Sequence, residues 1–370
     1  MTIDFRALAN SYVRDLTPYQ PGKPLEELER EYGINSSIKL ASNENPLGAS
    51  EQAILAAKHA LSKTYFYPDG SCYALKKALS QFLKIPSNWM TIGNGSENIL
   101  ELAVKTYLTQ HDTAVISQYA FLTIPIILQS HGVLIKIAPA KQFGHDMQAM
   151  INAIDKKTRV LFLVNPNNPT GTYTNQNEFH QLMESVPPHI LVVVDEAYGE
   201  YINAPDYPDT LSYLARYPNL MITRTFSKAY GLAGLRLGYA ISSPEIADML
   251  NRARLPFNVN TIASTAAIAA LEDQEHVKKA NHINQNGMQY FQKAFDHLKL
   301  KYIPSVGNFI TLNVGDAVFM YQQLLREGII VRPLHAYHMP EFIRVTIGTE
   351  EQNERFLLTL NKLINHKETV

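Results

Sequence analysis

The sequence predicts an α/β protein with a mostly parallel sheet, followed by a smaller α+β part. Three observations carry this. Short apolar runs such as Val160–Val164 and Ile190–Val194 alternate with amphipathic helical segments, the pattern of parallel strands covered by helices on both faces. Several runs end in Gly, Asn, Asp or Lys: Gly95, Asn168, Asp195 and Lys228 all fall just past strand ends. After about residue 245 the pattern changes to long polar helices and a few short strands.

In chain order, the proline-rich stretch Leu16–Pro24 reads as extended, and Leu25–Tyr32 as an amphipathic helix after an N-terminal arm. Ile38–Ala41 is a short strand running into the polar loop Ser42–Gly48. Ser50 caps a helix to Ser62, an aromatic turn follows at Tyr65–Gly70, and Tyr73–Phe82 is helical. The strand Trp89–Ile92 leads through Gly93–Asn98 into a helix reaching Leu108, either an arrangement that presents backbone N–H groups near Gly95, Ser96 and Glu97 to an anion or an ordinary βα turn with a Ser cap. Strands follow at Thr113–Ser117, Val133–Ile137, Arg159–Val164, Ile190–Val194, Leu220–Thr223 and Gly238–Ile241, with helices at Leu122–Gly132, Met147–Ile154 and Gln176–Ser185 between them. Helices are expected at Pro244–Leu255 and, as one long element, from Thr261 to about Leu298. Short strands (Tyr302–Ile303, Phe309–Asn313), a helix (Ala317–Glu327), a strand (Phe342–Ile347) and a final helix (Glu350–Ile364) complete the chain. The expected division is an arm over 1–37, a large part over 38–265 and a small part over 266–370.

The 370 residues suffice for two domains, and 46% hydrophobic with 18% charged residues is an ordinary globular balance. A net charge of −1 gives no electrostatic case for nucleic acid or an anionic membrane. The single cysteine, Cys72, allows no internal disulfide and suits a cytoplasmic location. Residues 1–10 do not read as a signal peptide, and the apolar run Phe121–Gln129 is interrupted by Pro125.

The stretch Thr223–Gly238 concentrates the chemistry. Lys228 reads as a Schiff-base lysine for pyridoxal 5'-phosphate, with Thr225, Ser227 and Arg236 as phosphate holders; a glycine-rich turn with a surface Lys and Arg is the alternative. Asp195, ending a run of aliphatics, needs a partner such as a pyridinium nitrogen, or else caps a turn. Asn168 and Tyr198 are candidate donors to the ring oxygen, Asn168 being otherwise turn chemistry, and Tyr119 is a candidate stacking ring, although an aromatic at a loop start is more often plain packing. Arg344 sits among Ile343, Val345 and Ile347, which suits a carboxylate clamp or an internal ion pair. His335 and His338 lack a third ligand and read as non-metal.

Asn168-Pro169-Thr170-Gly171, Asp195-Glu196-Ala197-Tyr198 and Ser227-Lys228 through Leu235-Arg236 together resemble the fold-type I pyridoxal-phosphate aminotransferases. Leu16–Tyr19, Ser42–Pro46, Tyr67–Asp69 and Gly93–Glu97 are similar to the N-terminal motifs of the histidinol-phosphate aminotransferase family. The resemblance implies a large domain with a seven-stranded, mostly parallel sheet flanked by helices. It implies Lys228 as Schiff-base lysine and proton shuttle, Asp195 on the ring nitrogen, Asn168 and Tyr198 on the ring hydroxyl, and Tyr119 stacked on the ring. Ser96, Thr225, Ser227 and Arg236 would hold the phosphate, with Tyr67 reaching it from the partner of a homodimer. Arg344 would clamp the α-carboxylate, with Tyr19, Asn43 and Arg332 near the substrate side chain. The implied reaction moves the amino group of L-histidinol phosphate to 2-oxoglutarate, giving imidazole acetol phosphate and L-glutamate, in histidine biosynthesis. The stretch Arg332–Pro340 is similar to a subgroup that also takes aromatic amino acids, so an aromatic amino acid aminotransferase is the alternative. A pyridoxal-phosphate decarboxylase on the same scaffold is a third possibility. A DNA-binding regulator would need a module for which residues 1–37 are too short and proline-broken.

Overall fold

A computed structural model describes residues 3–34 and 36–367. Residues 1–2 and 35 of the expected arm, and 368–370 of the expected small part, lie outside the described residues. After β1 (Ile38–Lys39) come the strands of a seven-stranded sheet: β2 (Met90–Gly93), β3 (Thr113–Ser117), β4 (Leu134–Ala138), β5 (Thr158–Val164), β6 (Leu191–Asp195), β7 (Leu220–Thr225) and β8 (Gly238–Ser242). Their order is β2-β8-β7-β6-β5-β3-β4, and β8 alone runs against its neighbours. The mostly parallel sheet expected from the sequence is therefore present.

Alternate residues of β5 feed two cores. Val160, Phe162 and Val164 face one set of helices, and Leu161 and Leu163 the other. One core is closed by Phe179, Leu182 and Met183 of the helix Gln176–Ser185 and by the alanine-rich helix Thr261–Glu272. The other is closed by Ile99, Leu100 and Val104 of Ser96–Tyr107 and by Ile246 and Leu250 of Pro244–Ala253. Full burial of each large apolar side chain contributes about 1.5–3 kcal/mol relative to exposure, so a strand sealed on both faces is fixed firmly in place.

The C-terminal part is built on a four-stranded antiparallel sheet of β9 (Tyr302–Ile303), β10 (Phe309–Asn313), β12 (Arg332–Pro333) and β13 (Phe342–Thr346), ordered β12-β13-β10-β9. The helices Gln274–His297 and Glu350–Lys367 place Phe291, Phe295 and Phe356 against Ile310, Leu312, Ile343 and Val345. Between β10 and β12 lies β11 (Ile329–Ile330), whose partner is β1, paired in parallel. This departs from the expectation that residue 38 opens the large part. Leu40 is buried in the C-terminal core, and that burial draws the strand away from the large sheet.

A second departure is the long helix expected from Thr261. It breaks into Thr261–Glu272 and Gln274–His297 at Asp273. The Asp273 carboxylate accepts from the His276 N–H and so caps a new helix, which is the usual work of an N-cap aspartate. Two short helices in the arm, Phe5–Leu8 and Ser11–Arg14, were also not expected. Each has a side-chain cap, from Asp4 and Asn10 respectively, and Tyr12 donates to Gln110 Oε1 at 2.7 Å.

The tips of β6 and β7 are tied by an ion pair whose carboxylate is buried and whose arginine is partly exposed. Glu196, 1% exposed, accepts from Arg224 Nε at 3.0 Å and Nη2 at 2.8 Å, and Thr210 donates to its other oxygen at 2.6 Å. Removing one partner of such a pair leaves an uncompensated buried charge. Arg224→Ala is expected to destabilise the protein by about 3–5 kcal/mol, read as a lowered urea midpoint with an unchanged slope.

Candidate active site

Parallel strands place their C-terminal ends on one edge of a sheet, where open α/β sheets bind ligands. Here β2, β5, β6 and β7 deliver Ser96, Asn168, Asp195 and Lys228 to one cavity of about 700 Å³, counting its open mouth. Tyr19, Asn43, Glu97, Tyr198, Thr225, Ser227, Arg236 and Arg344 line the same cavity. Most of the residues singled out in the sequence are thus brought together, from segments spread between residues 19 and 344.

Lys228 is partly open to the cavity, and its Nζ donates to the Ser42 carbonyl at 3.0 Å. Burial, with the Arg344 guanidinium adding to it, lowers the amine to about 8. Part of the population is therefore uncharged near neutral pH and able to act as a nucleophile or base. Asp195 ends β6 and is 3% exposed. Thr223 Oγ1 donates to it at 2.9 Å, yet burial prevails and pushes the carboxyl up to about 6, with Glu97 and Glu196 adding like-charge repulsion. No basic side chain forms an ion pair with Asp195 among the described residues, so the cavity presents an acid that lacks a cation.

The other end of the cavity is suited to an anion. Gly95 precedes the helix Ser96–Tyr107 with a φ of 86°, and a Cβ there would lie 2.5 Å from Arg236 Nη2. Glycine therefore lets the arginine approach the helix N-terminus. A Cβ on Gly238, in β8, would collide with the Ser96 backbone nitrogen. Ser227 Oγ accepts from Arg236 Nη1 at 3.5 Å, and the Ser227 N–H donates to Thr225 Oγ1 at 3.1 Å. The Glu97 carboxylate, 3.4 Å from Arg236 Nη2, is the anion this arginine now faces.

Arg344 is 5% exposed and projects from β13. Its guanidinium donates to Asn168 Oδ1 and, at 2.7 Å, to the Ala41 carbonyl, while Nε lacks a partner. The internal ion pair considered from sequence is not formed among the described residues. Since arginine only donates, Asn168 must offer its oxygen to Arg344, which leaves its NH₂ as a donor. Tyr198, 2% exposed, receives a hydrogen bond from Asn43 Nδ2 at 2.9 Å, and burial holds its hydroxyl protonated.

Four of the residues singled out in the sequence stand apart from the cavity lining: Gly95, next to Ser96, and Tyr119, Tyr67 and Arg332. Tyr119, expected to stack on the cofactor ring, instead packs beside Phe143 with ring centroids 5.9 Å apart. Phe121, from the same loop, lines the cavity. The sequence marks this loop, past the end of β3, as aromatic, but the direction of each ring follows from the packing of Tyr119 toward Tyr337 and Met339. Tyr67 is 82% exposed and stacks on Phe257 at 4.7 Å. Arg332 lies one step away, 5.1 Å from the ring centroid of Tyr19, and pairs in register with Arg344 across β12 and β13. Sequence reasoning also missed the Ser42 carbonyl and the Thr223 hydroxyl, neither of which carries a distinctive signal.

The donor set fits pyridoxal phosphate. Lys228 would meet its aldehyde, Asp195 its ring nitrogen, and Ser96, Thr225, Ser227 and Arg236 its phosphate. A cationic ring nitrogen would supply the charge that Asp195 lacks. In the cofactor-free protein the raised Asp195 favours folding fully only below the unfolded value near 4, and that contribution is lost as pH rises through about 6. Asp195→Asn is expected to stabilise the cofactor-free protein by up to about 3 kcal/mol above pH ~7, and by little below pH ~4. Urea unfolding of both forms at the two pH values measures this.

The chain has relatives along nearly its whole length. Residues 35–360 match the family described as aminotransferase class I and II. "Histidinol-phosphate aminotransferase 1" of Nitrosococcus oceani is 51% identical over 363 residues, covering 97% of this chain and 98% of that one. "Histidinol-phosphate aminotransferase 2" of Pseudomonas aeruginosa is 49% identical over 366 residues, covering 98% and 99%. Among solved structures, histidinol-phosphate aminotransferase of Sinorhizobium meliloti in complex with pyridoxal-5'-phosphate superposes with a TM-score of 0.88 at 27% identity, covering 97% of this chain and 98% of that one. The L-threonine-O-3-phosphate decarboxylase of Porphyromonas gingivalis, at 19% identity and a TM-score of 0.79, shares the fold alone. With lysine, acid and arginine gathered at the strand ends and sequence identity sustained over the full length, the chain belongs to the class I and II aminotransferases, in the histidinol-phosphate aminotransferase family.

Proposed function

We propose that this chain transfers the amino group of L-histidinol phosphate to 2-oxoglutarate, using pyridoxal phosphate and giving imidazole acetol phosphate and L-glutamate. For the acceptor half of the reaction the observation that carries the reading is Arg344, a buried guanidinium without a carboxylate partner, facing the cavity that Lys228 and Asp195 also line; the amino donor, which has no carboxylate, is read from the relatives. Pyridoxal phosphate, when bound, supplies an aldehyde that takes up an amino group and a ring that accepts electrons from the carbon beside it. Asp195 keeps the ring nitrogen protonated. Lys228 would take and return the proton at that carbon. Asn168 and Tyr198 would donate to the ring oxygen. Arg344 receives the carboxylate of 2-oxoglutarate, and Tyr19 with Arg332 behind it borders the substrate side chain.

We place the enzyme in the cytoplasm as a homodimer. No helix among the described residues is long and apolar enough to cross a membrane. Tyr65, Phe66, Tyr67, Tyr73 and Phe257 are exposed, an aromatic surface of the kind that partner subunits cover. Tyr67 then reaches the neighbouring site rather than its own.

Adding L-histidinol phosphate is expected to shift the absorbance of the bound cofactor, and Lys228→Ala to abolish turnover. Equal or better turnover of phenylalanine or tyrosine would make the aromatic aminotransferase the better description; carbon dioxide release would indicate a decarboxylase. Arg344→Ala is expected to cost about 2–5 kcal/mol in kcat/KM for 2-oxoglutarate, measured by steady-state kinetics. If Tyr67 serves the partner's site, co-expressing Tyr67→Phe with Lys228→Ala yields mixed dimers with one intact site. Their activity then exceeds that of either variant alone; activity no higher than the Tyr67→Phe contribution would exclude the crossing.

A further inference from the structure

The segment Leu40–Asn43 touches much of the site's machinery. Ala41 O accepts from Arg344 at 2.7 Å, Ser42 O from Lys228 at 3.0 Å, and Asn43 Nδ2 donates to Tyr198 Oη at 2.9 Å. Asn43 is 1% exposed with a φ of 56°, a left-handed conformation that asparagine tolerates better than most residues. Its own N–H donates to Thr346 Oγ1 at 2.9 Å, and Asn308 donates to its carbonyl at 3.0 Å.

These contacts impose a direction on the network. A hydroxyl has one hydrogen to give. Thr346 Oγ1 accepts from the Asn43 backbone, so its hydrogen goes to Asn43 Oδ1, 3.3 Å away. That holds the amide oxygen on Thr346 and turns the NH₂ toward Tyr198. Tyr198 Oη is then an acceptor on its protein side, and Asn43 is its one hydrogen-bond partner among the described residues. With the amide reversed, Oδ1 would take the Tyr198 hydrogen and the hydroxyl could only accept from the cavity.

We infer that Thr346 and Asn43 are positioning residues that set the polarity of the Tyr198 hydroxyl, so that its hydrogen is offered into the cavity. The inference rests on the reading that the cavity holds pyridoxal phosphate, whose ring oxygen would be the acceptor. Because Thr346 lies on β13, two residues from Arg344, the same strand that bears the carboxylate clamp also sets the hydroxyl. The charged and titratable groups around Tyr198 are Lys228, with Nζ 5.8 Å from its ring centroid, Asp195, Arg344, Tyr337 and Tyr201. Neither Thr346→Val nor Asn43→Gly alters any of these charges, and glycine keeps the left-handed backbone.

The test is the pH midpoint of the bound cofactor's absorbance in the holoenzyme. A donor to the ring oxygen favours its deprotonated, anionic form, so losing the donor raises the midpoint. Tyr198→Phe is expected to raise it by about one unit, the size expected for a hydrogen bond to a charged oxygen. Thr346→Val and Asn43→Gly raise it by part of that shift, Thr346→Ser restores the wild-type value, and neither change adds anything in a Tyr198→Phe background. A wild-type midpoint in both Thr346→Val and Asn43→Gly, or a shift that persists without the Tyr198 hydroxyl, overturns the relay while leaving the proposed reaction standing. If Tyr198→Phe moves nothing, the hydroxyl is no donor to the cofactor and the relay fails while the cofactor reading stands; if the wild-type protein binds no pyridoxal phosphate, the underlying reading fails and takes the relay with it.

Discussion

The common direction of β5, β6 and β7 is the constraint from which the site follows. Parallel neighbours need long crossovers, and here the crossovers cover both faces of the sheet and leave its carboxyl-end edge free. Asn168, Asp195 and Lys228 are close because the strands before them are in register, with Val164 opposite Asp195 and Asp195 opposite Thr223. The reversal at β8 adds to this. By running back beside β7 it sets Arg236 next to Ser227 and brings Gly238 against the start of the helix that follows Gly95. The end of the cavity suited to an anion is thus made by two chain segments meeting where only glycine fits.

The price of such an edge is charge held out of water. Asp195 is raised and Lys228 lowered by burial, and Arg344 keeps one nitrogen without a partner. Near neutral pH the burial of Asp195 and Lys228 works against folding. Immediately behind them Glu196 and Arg224 form a pair whose charges and hydrogen bonds are matched, holding the tips of β6 and β7 at a fixed spacing. Residue 195 is left incomplete and residue 196 satisfied, and a rigid frame around unsatisfied groups is what binding a ligand of fixed shape requires.

The two parts of the chain meet through the loops at the mouth of the cavity. Thr311 Oγ1 donates to the Pro169 carbonyl at 2.5 Å, the Val306 N–H donates to Gly171 O at 2.9 Å, and Arg344 reaches both Asn168 and Ala41. The arginine of β13 is therefore bonded to the loop that follows β5.

The sequence by itself determined the alternation of strands and helices, the parallel sheet, and the identity of most residues at the strand tips. It could do so because burial on both faces and the chemistry of strand ends are local signals. Only the tertiary structure decided that Phe121 rather than Tyr119 enters the cavity, since ring direction depends on Phe143, Tyr337 and Met339, distant in the chain. It decided that β1 pairs with β11, because Leu40 finds its apolar neighbours among C-terminal residues. It also decided that Asn43 bonds to Tyr198, 155 positions away. A side chain's type is written at its own position, but the direction in which it points and the atom it meets depend on how remote segments pack around it.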